Sequence, residues 1–566
     1  MNETLTGAQI LCRTLVEAGV EVIFGYPGGA IMPFYHALPE HPRLRHILVR
    51  HEQAAAHAAD GYARASGRVG VCVATSGPGA TNLVTGLAAA HMDSSPVVAI
   101  TGQVSRPMIG RDAFQETDIV GITLPITKQN YLVQDASELA DVVAEALAIA
   151  LAGRPGPGLI DVPKDVQNQK AEYRAPSPAV ARGLGLTPGV SEGGRSLEEA
   201  VREAARLIAA ADRPLLMVGH GVILANAYAQ VRALAEKTGI PVITTLLGIS
   251  AFPDGHPLHL GMPGMHGEVH VNRAIQRADL IVGIGLRFDD RVTGNTAAFA
   301  PHARIVHIDL DRAEIGKNVR VAVGIVGDAA RVTERLVAAV EPRSCERWIG
   351  EIHERRSVRP TAFRGALSPE AILATICEAT GGECTIVTDV GQHQMWVAKL
   401  YPYQRPNSHI TSGGLGAMGF AVPAAMGVHL ARPGDTVWAI SGDGGFQMNM
   451  AEIATMVQEG LTVKMAIFNN GYLGMVRQWQ QFFHEKRYSC TPIWSPDYVK
   501  LAEAYGIPGY RVNHASELAD VVGRANAESG PALVEFVIER EANVYPMIPP
   551  GGSLSEPIEA EPVTTP

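Results

Sequence analysis

The chain has 566 residues, with 47 Lys+Arg against 57 Asp+Glu, a net charge of −10 with His neutral, and 18% charged residues. An acidic chain with no run of Lys or Arg lacks the electrostatic footprint that phosphate neutralisation requires, so nucleic-acid binding is set aside as its main business. At roughly 100–200 residues per domain the length predicts about three to five domains, and 46% hydrophobic residues give each of them a core, which excludes global disorder.

Thr6 and Gln9 form a capping-box pattern ahead of Ala8, Leu11 and Leu15, so a helix opens the chain. Strands are predicted at Val20–Phe24, Ile47–Val49, VGVCVA and VVAIT, separated by the helix-like HEQAAAHAADGYARA, a loop TSGPGATN and a helix to His91. This rhythm is α/β with a mainly parallel sheet. Residues 69–92 and 412–431 contain no Asp, Glu, Lys or Arg, but Gly, Pro, Asn and Ser interrupt both. They read as buried strand–loop–helix units and not as membrane spans.

Residues 153–195 are rich in Pro and Gly and reach linker composition near 185–195. The first domain is therefore drawn as 1–185. A second α/β block, 196–340, carries strands LLMVG, PVITT, LIVGIG and RIVHID; 341–368 reads as a polar connection; a third block, 369–549, carries CTIVTD, TVWAIS, VKMAIFN and ALVEFVI. Residues 550–566 read as a frayed C-terminal tail. The first and third blocks also match in spacing: Gly61 to Ser76 is 15 residues and Gly427 to Ser441 is 14, as a duplicated unit or shared α/β grammar would produce.

The six cysteines, Cys12, Cys72, Cys345, Cys377, Cys384 and Cys490, show no CxxC pair, which points away from a zinc site or disulfide framework and toward the cytoplasm. The N-terminus has no basic n-region and no apolar signal core.

The strongest chemical signal is SGDGGFQMN from Ser441, with 24 residues between Gly444 and Asn469-Asn470. Gly442, Gly444 and Gly445 let backbone N–H groups approach a phosphate without a Cβ in the way. Asp443 and Asn470 would lie at the carboxyl ends of strands flanking a crossover, where open α/β sheets bind ligands. A carboxylate and an amide oxygen suit Mg²⁺.

GDG-x24-NN resembles the thiamine-diphosphate/Mg²⁺ motif of thiamine-dependent enzymes. GYPGGAIMPFY, RHEQAAAHAADGYARASG, TSGPGATN, GRDAFQETDIVGIT, ITKQNY, RPGPGLIDVPKD, RFDDRVTG, HIDLDRAEIGKN and GYLGMVRQWQ narrow this to a resemblance to the catalytic subunit of acetolactate (acetohydroxyacid) synthase. The resemblance implies three doubly wound parallel-sheet domains, binding the pyrimidine, FAD and diphosphate in turn. It implies an enzyme that decarboxylates pyruvate and transfers the two-carbon unit to a second pyruvate or to 2-oxobutyrate, in valine, leucine and isoleucine biosynthesis.

Residue by residue, Glu52 matches the glutamate that hydrogen-bonds the cofactor's N1′, and Met418 the side chain beneath its bend. Gly391, Gln392 and His393 match the diphosphate side, and Gly416, with Gly442, Gly444 and Gly445, would give backbone access. Tyr472 would give its carbonyl to Mg²⁺ beside Asp443 and Asn470. Gly219, His220, Gly221, Gly264, Met265, His266, Gly267, Gly285, Arg287, Asp309, Gly327 and Asp328 look like the FAD site. Arg287 also resembles the arginine for the second oxoacid's carboxylate, and Trp479 the tryptophan that shapes its pocket. Gly29, Phe114, Gln115, Lys128 and Lys164 match positions lining the active site. The resemblance further implies a homodimer or tetramer, with the site between the first domain of one subunit and the third of its neighbour, and a separate small regulatory subunit. A flavin-redox enzyme of the pyruvate oxidase type, glyoxylate carboligase, a non-catalytic homologue and a nicotinamide dehydrogenase fit these blocks less well.

Overall fold

The computed structural model describes residues 3–176, 196–354 and 367–559; the linker expected at 185–195 lies outside them. The described residues form three six-stranded sheets, each wholly parallel, and a two-stranded antiparallel ribbon. Parallel strands are buried on both faces and need crossover helices, which accounts for the apolar runs between helical patterns.

In the first domain the strands run in space as Arg45–Leu48, Val22–Gly25, Gly70–Ala74, Val97–Gln103, Gly158–Pro163, Gln129–Leu132. In the third they run as His409–Thr411, Thr385–Thr388, Val437–Gly442, Val463–Asn469, Ala532–Val537, Gly509–Val512. Counted within each domain, both orders are 2-1-3-4-6-5. The central sheet has a different order, 3-2-1-4-5-6, that of a dinucleotide-binding fold. The spacing match between the first and third blocks thus corresponds to a shared topology.

The opening helix, Gly7–Glu17, has its capping box on Thr6 and Gln9. Helix Glu52–Ser66 starts at His51, whose ring accepts from the Gln53 amide, and stops at Gly67 in the left-handed conformation. Its alanines pack on helix Ala421–Ala431 of the third domain, in a single core with Phe24, Phe420 and Met426. A Cβ on Gly61 would lie 2.1 Å from the Ala424 carbonyl oxygen, and one on Gly427 1.9 Å from that of Ala58. The two helices therefore meet backbone to backbone, through the glycines that the spacing match pairs.

Several expectations are corrected. TSGPGATN is not only loop, because Pro78–Asn82 is helical, with proline in the first turn where its missing N–H costs nothing. The Pro/Gly-rich stretch after 153 contains a central strand, Gly158–Pro163. Its buried Asp161 accepts from Thr101 Oγ1 (2.7 Å) and Gln103 Nε2 (2.9 Å). Within the supposed connection 341–368, Glu346–His353 is a helix whose buried Trp348 donates Nε1 to the Pro214 carbonyl at 3.1 Å. The tail does not fray at 550: Leu554 is buried in the central core, and the Gly552 carbonyl accepts from the Asn295 amide at 2.9 Å.

Candidate active site

One cavity of about 1120 Å³ opens where the three domains meet. On its third-domain side lie Gly391, Gln392, His393, Gly416, Met418, Gly442, Asp443, Gly444, Gly445, Asn470, Tyr472 and Trp479; on its central side lie His220, Gly221, Met265, His266, Gly285, Arg287, Asp309 and Asp328. Two sets at least 63 residues apart in sequence thus share one space.

Strand Val437–Gly442 ends at this cavity, and helix Asp443–Asn449 begins there, its first N–H groups without intrahelical partners. Asp443 is buried; its Oδ2 accepts from the Gly471 amide at 2.9 Å, and burial pushes its carboxyl up to about 6. Desolvation at this level favours a cation beside it. Asn470 Oδ1 accepts from the Tyr472 amide at 3.1 Å. Among the described residues no group of three or more His, Cys, Asp or Glu is placed to hold a metal ion; at this turn a cation would meet the Asp443 carboxylate and neutral oxygens such as Asn470 Oδ1. That donor set fits a hydrated Mg²⁺ and not zinc.

His393 accepts the Gly442 N–H on Nε2 at 3.2 Å, and burial lowers its pKa to about 3, which keeps the ring neutral. A Cβ on Gly442 would lie 2.9 Å from that ring, and one on Gly445 would lie 2.6 Å from Asp389 Oδ1. Both glycines are needed for packing behind the turn as well as for access in front of it. Gly416, at φ +71°, has only Val390 near a built Cβ, at 3.7 Å, and faces open space.

In the central domain Gly219, Gly221 and Gly285 lie at the carboxyl ends of two adjacent strands, where the strand order reverses. Gly221 N donates to the Gly285 carbonyl at 2.9 Å, and a Cβ on Gly219 would lie 2.3 Å from that oxygen. This is the switch-point crevice in which such sheets hold dinucleotides. His266 is buried and neutral, lowered to about 3, with no partner for Nδ1; Asp309 is pushed up to about 7 by burial. Gly219, Gly264, Gly267 and Gly327 do not line the cavity but flank it. Gly264, at φ +97°, abuts the Arg291 carbonyl. Arg287 pairs loosely with Asp289 at 3.5 Å, and Arg291 shares the same wall.

The first-domain residues are placed elsewhere. Glu52 is the first residue of its helix and accepts from Asn82 Nδ2 at 2.9 Å. Gly29 and Lys164 sit on the same domain, Lys164 beside Met32 and His36 in a separate depression. Phe114 is 88% exposed, and Gln115, at φ +59°, rests against Gly77. Lys128 caps a helix end, donating Nζ to the carbonyls of Ile149 and Ala152, with its pKa lowered to about 8 by burial. None of these six lines the central cavity of its own chain.

Other residues that build the site were not singled out from the sequence. Buried Asp389 accepts from the amides of Val390 (2.8 Å) and Gly419 (2.9 Å), holding the turn that presents Met418. Asp93, bridged by Arg64 at 2.7 Å, accepts from the amides of Gly413 (3.0 Å) and Gly414 (2.6 Å) and ties that loop to the first domain. Arg64 also bonds Asp60, four residues away on the same helix face, the one signal that was visible.

The class this architecture defines is that of thiamine enzymes. Sequence models of the thiamine pyrophosphate enzyme N-terminal TPP binding domain, central domain and C-terminal TPP binding domain match residues 5–122, 201–336 and 389–536. Acetolactate synthase from Mycobacterium bovis is 51% identical over 570 residues, covering 98% of this chain and 91% of its own length. Acetolactate synthase large subunits from Corynebacterium glutamicum (98% and 90% covered) and Parasynechococcus marenigrum (97% and 90%) are each 46% identical. The chain belongs to the acetolactate synthase large-subunit family of thiamine-pyrophosphate-dependent enzymes.

Proposed function

We propose that this chain is the catalytic subunit of an acetolactate synthase, joining the two-carbon unit of decarboxylated pyruvate to a second 2-oxoacid, pyruvate or 2-oxobutyrate. The observation that carries this reading is the single cavity shared by the GDGG turn, Asn470 and the glycine-lined crevice of the central sheet. When bound, thiamine diphosphate supplies the electron sink for the bond that CO₂ leaves.

The chain's own residues do the rest. Asp443, Asn470 and the Tyr472 carbonyl hold Mg²⁺, and the amides after Gly442 receive the diphosphate oxygens. Met418, on the wall of the cavity, would pack against the bound cofactor. Glu52 holds the proton at N1′. Gly219, His220, Gly221, Gly285, Asp309 and Asp328 hold FAD, with His266 kept neutral beside it. Arg287 receives the second oxoacid's carboxylate, a task suited to a planar, permanently charged fork. Trp479 bounds its alkyl group; a pocket of this kind separates ethyl from methyl by about 1–3 kcal/mol.

Because Glu52, Gly29, Phe114, Gln115, Lys128 and Lys164 lie outside their own chain's cavity, a second copy completes the site, the first domain of one facing the third of the other. Exposed Phe114, Leu124, Met448 and Trp494 give such a pair apolar contact surface. A separate small subunit supplies feedback regulation. No helix among the described residues is long and apolar enough to cross a membrane, and the enzyme is assigned to the cytoplasm.

The test is to incubate the purified protein with pyruvate, thiamine diphosphate and Mg²⁺, with and without FAD, measuring acetolactate and oxygen uptake. FAD-dependent acetolactate without matching oxygen consumption supports the reading. Stoichiometric oxygen uptake with acetate contradicts it.

A further inference from the structure

Gln478 is fully buried and adjoins Trp479, yet it points away from the cavity and into a polar chain that ends on Asn470. Its Oε1 accepts the Val544 amide at 2.8 Å and its Nε2 donates to the Val544 carbonyl at 3.0 Å. A backbone amide only donates and a carbonyl only accepts, so this pairing sets which end of the Gln478 amide is oxygen. The same Oε1 accepts Gln392 Nε2 at 2.9 Å, and Gln392 Nε2 gives its second hydrogen to the Ala542 carbonyl at 2.8 Å. With both hydrogens committed, Gln392 has only Oε1 left to offer, and it accepts Asn470 Nδ2 at 3.3 Å. Asn470 thus has Nδ2 held by Gln392 on one side and Oδ1 on the other, where it also accepts the Tyr472 amide at 3.1 Å, so relay and backbone set the same orientation.

Gly474 makes room for this arrangement. A Cβ there would lie 2.2 Å from Gln392 Oε1 and 3.0 Å from Asn470 Nδ2. The far end of the chain is also anchored. Arg477, wholly buried, donates to the Ala542 carbonyl at 2.8 Å and to Asn543 Oδ1 at 2.6 Å. The segment then reaches the central domain, where the Ile548 amide donates to the Met265 carbonyl at 2.8 Å.

We propose that Gln478 is a positioning residue which, through Gln392, holds the Asn470 amide so that oxygen and not NH₂ faces the cation. The proposal rests on the reading of Asn470 as a Mg²⁺ ligand. It also gives the Gln392 side chain a role behind the metal site, its polar atoms being engaged within the protein and not with the diphosphate. Partners that orient a metal ligand are worth about 10–100-fold in metal affinity.

The experiment titrates Mg²⁺ calorimetrically into full-length apoprotein saturated with thiamine diphosphate, with thermal unfolding as a check on folding. Gln478→Met keeps the volume and removes every polar atom of the relay, and is expected to weaken Mg²⁺ binding by about 10-fold or more. Gln478→Glu keeps an acceptor for Val544 and Gln392 and, as a buried acid, keeps a proton for the Val544 carbonyl. It is expected to stay within about threefold of the parent. Gln392→Met removes the middle member and is expected to lose as much as Gln478→Met, which keeps the test in hand if that variant does not fold. Asn470→Ala serves as the reference loss. Parent-like Mg²⁺ affinity in folded Gln478→Met, with Asn470→Ala impaired, overturns the relay. Equal loss in Gln478→Met and Gln478→Glu overturns it as well, since packing alone would then account for the effect. Parent-like affinity in Asn470→Ala overturns the metal reading itself.

Discussion

Glu452, in the third domain, holds Oε1 2.8 Å from the Arg50 amide and 3.1 Å from the His51 amide, the two residues that precede Glu52. Its other oxygen accepts from Thr455 Oγ1 at 2.7 Å. The carboxylate is fully buried, and burial raises its pKa. One domain therefore fixes the turn from which another launches its glutamate. Glu452→Ala leaves two donors without a partner, at about 1–3 kcal/mol each, whereas Glu452→Gln keeps an acceptor. The alanine variant is expected to unfold at lower temperature and to lose hydrogen-exchange protection at residues 50–54, with the glutamine variant close to the parent.

Glu52 itself is held by Asn82 at 2.9 Å and does not line the cavity on which Asp443, Asn470 and Tyr472 lie. Glu52→Gln is expected to leave thiamine diphosphate binding largely intact and to lower turnover by a factor on the order of 10²–10⁴, the range for a proton-transfer group. Binding by calorimetry and acetolactate formation measure the two effects separately. Unchanged turnover removes the role assigned to this residue.

The contact between helices Glu52–Ser66 and Ala421–Ala431 leaves no room for a side chain at Gly427. Gly427→Ala places a methyl group against the Ala58 carbonyl and forces backbone apart, at a cost of about 1–3 kcal/mol or more. A lower unfolding temperature is expected, whereas Gly434→Ala, at an open position, is expected to be nearly silent.

Buried His409 has its pKa lowered to about 3 by desolvation, with Arg64 adding to the effect. The unfolded chain takes up a proton near pH 6.5 that the folded chain refuses until about pH 3. Stability contributed by the neutral ring is therefore present above pH 6.5 and is lost as pH falls through that window, at up to about 1.4 kcal/mol per pH unit. His409→Asn removes this titration. Its stability relative to the parent, followed by denaturant midpoints from pH 7 to pH 4.5, is expected to improve as pH falls; a constant difference contradicts the assignment.

Much of this was legible because it is local. The Thr6 capping box, the GDGG turn at a strand end and the paired spacing around Gly61 and Gly427 are short-range patterns that backbone geometry imposes, and each appears where the pattern places it. Edge strands such as Gln129–Leu132 and Gly509–Val512 escaped because they are short and partly exposed, with little apolar signal. Asp389, Asp93, Glu452 and Gln478 escaped for another reason. Each has a backbone amide partner 30 to 402 residues away, and a bond to the main chain leaves no mark on the residue type of its partner.

Complementation between two dead variants bears most directly on the account. Chains carrying Glu52→Gln and chains carrying Asp443→Ala, each inactive alone, are co-expressed with different tags and the mixed species isolated. If the first domain of one copy faces the third domain of another, each mixed pair contains one site with both residues intact, and acetolactate synthesis is expected to return. A mixed pair that is well folded and binds thiamine diphosphate but stays as inactive as its parents contradicts a site built between two copies.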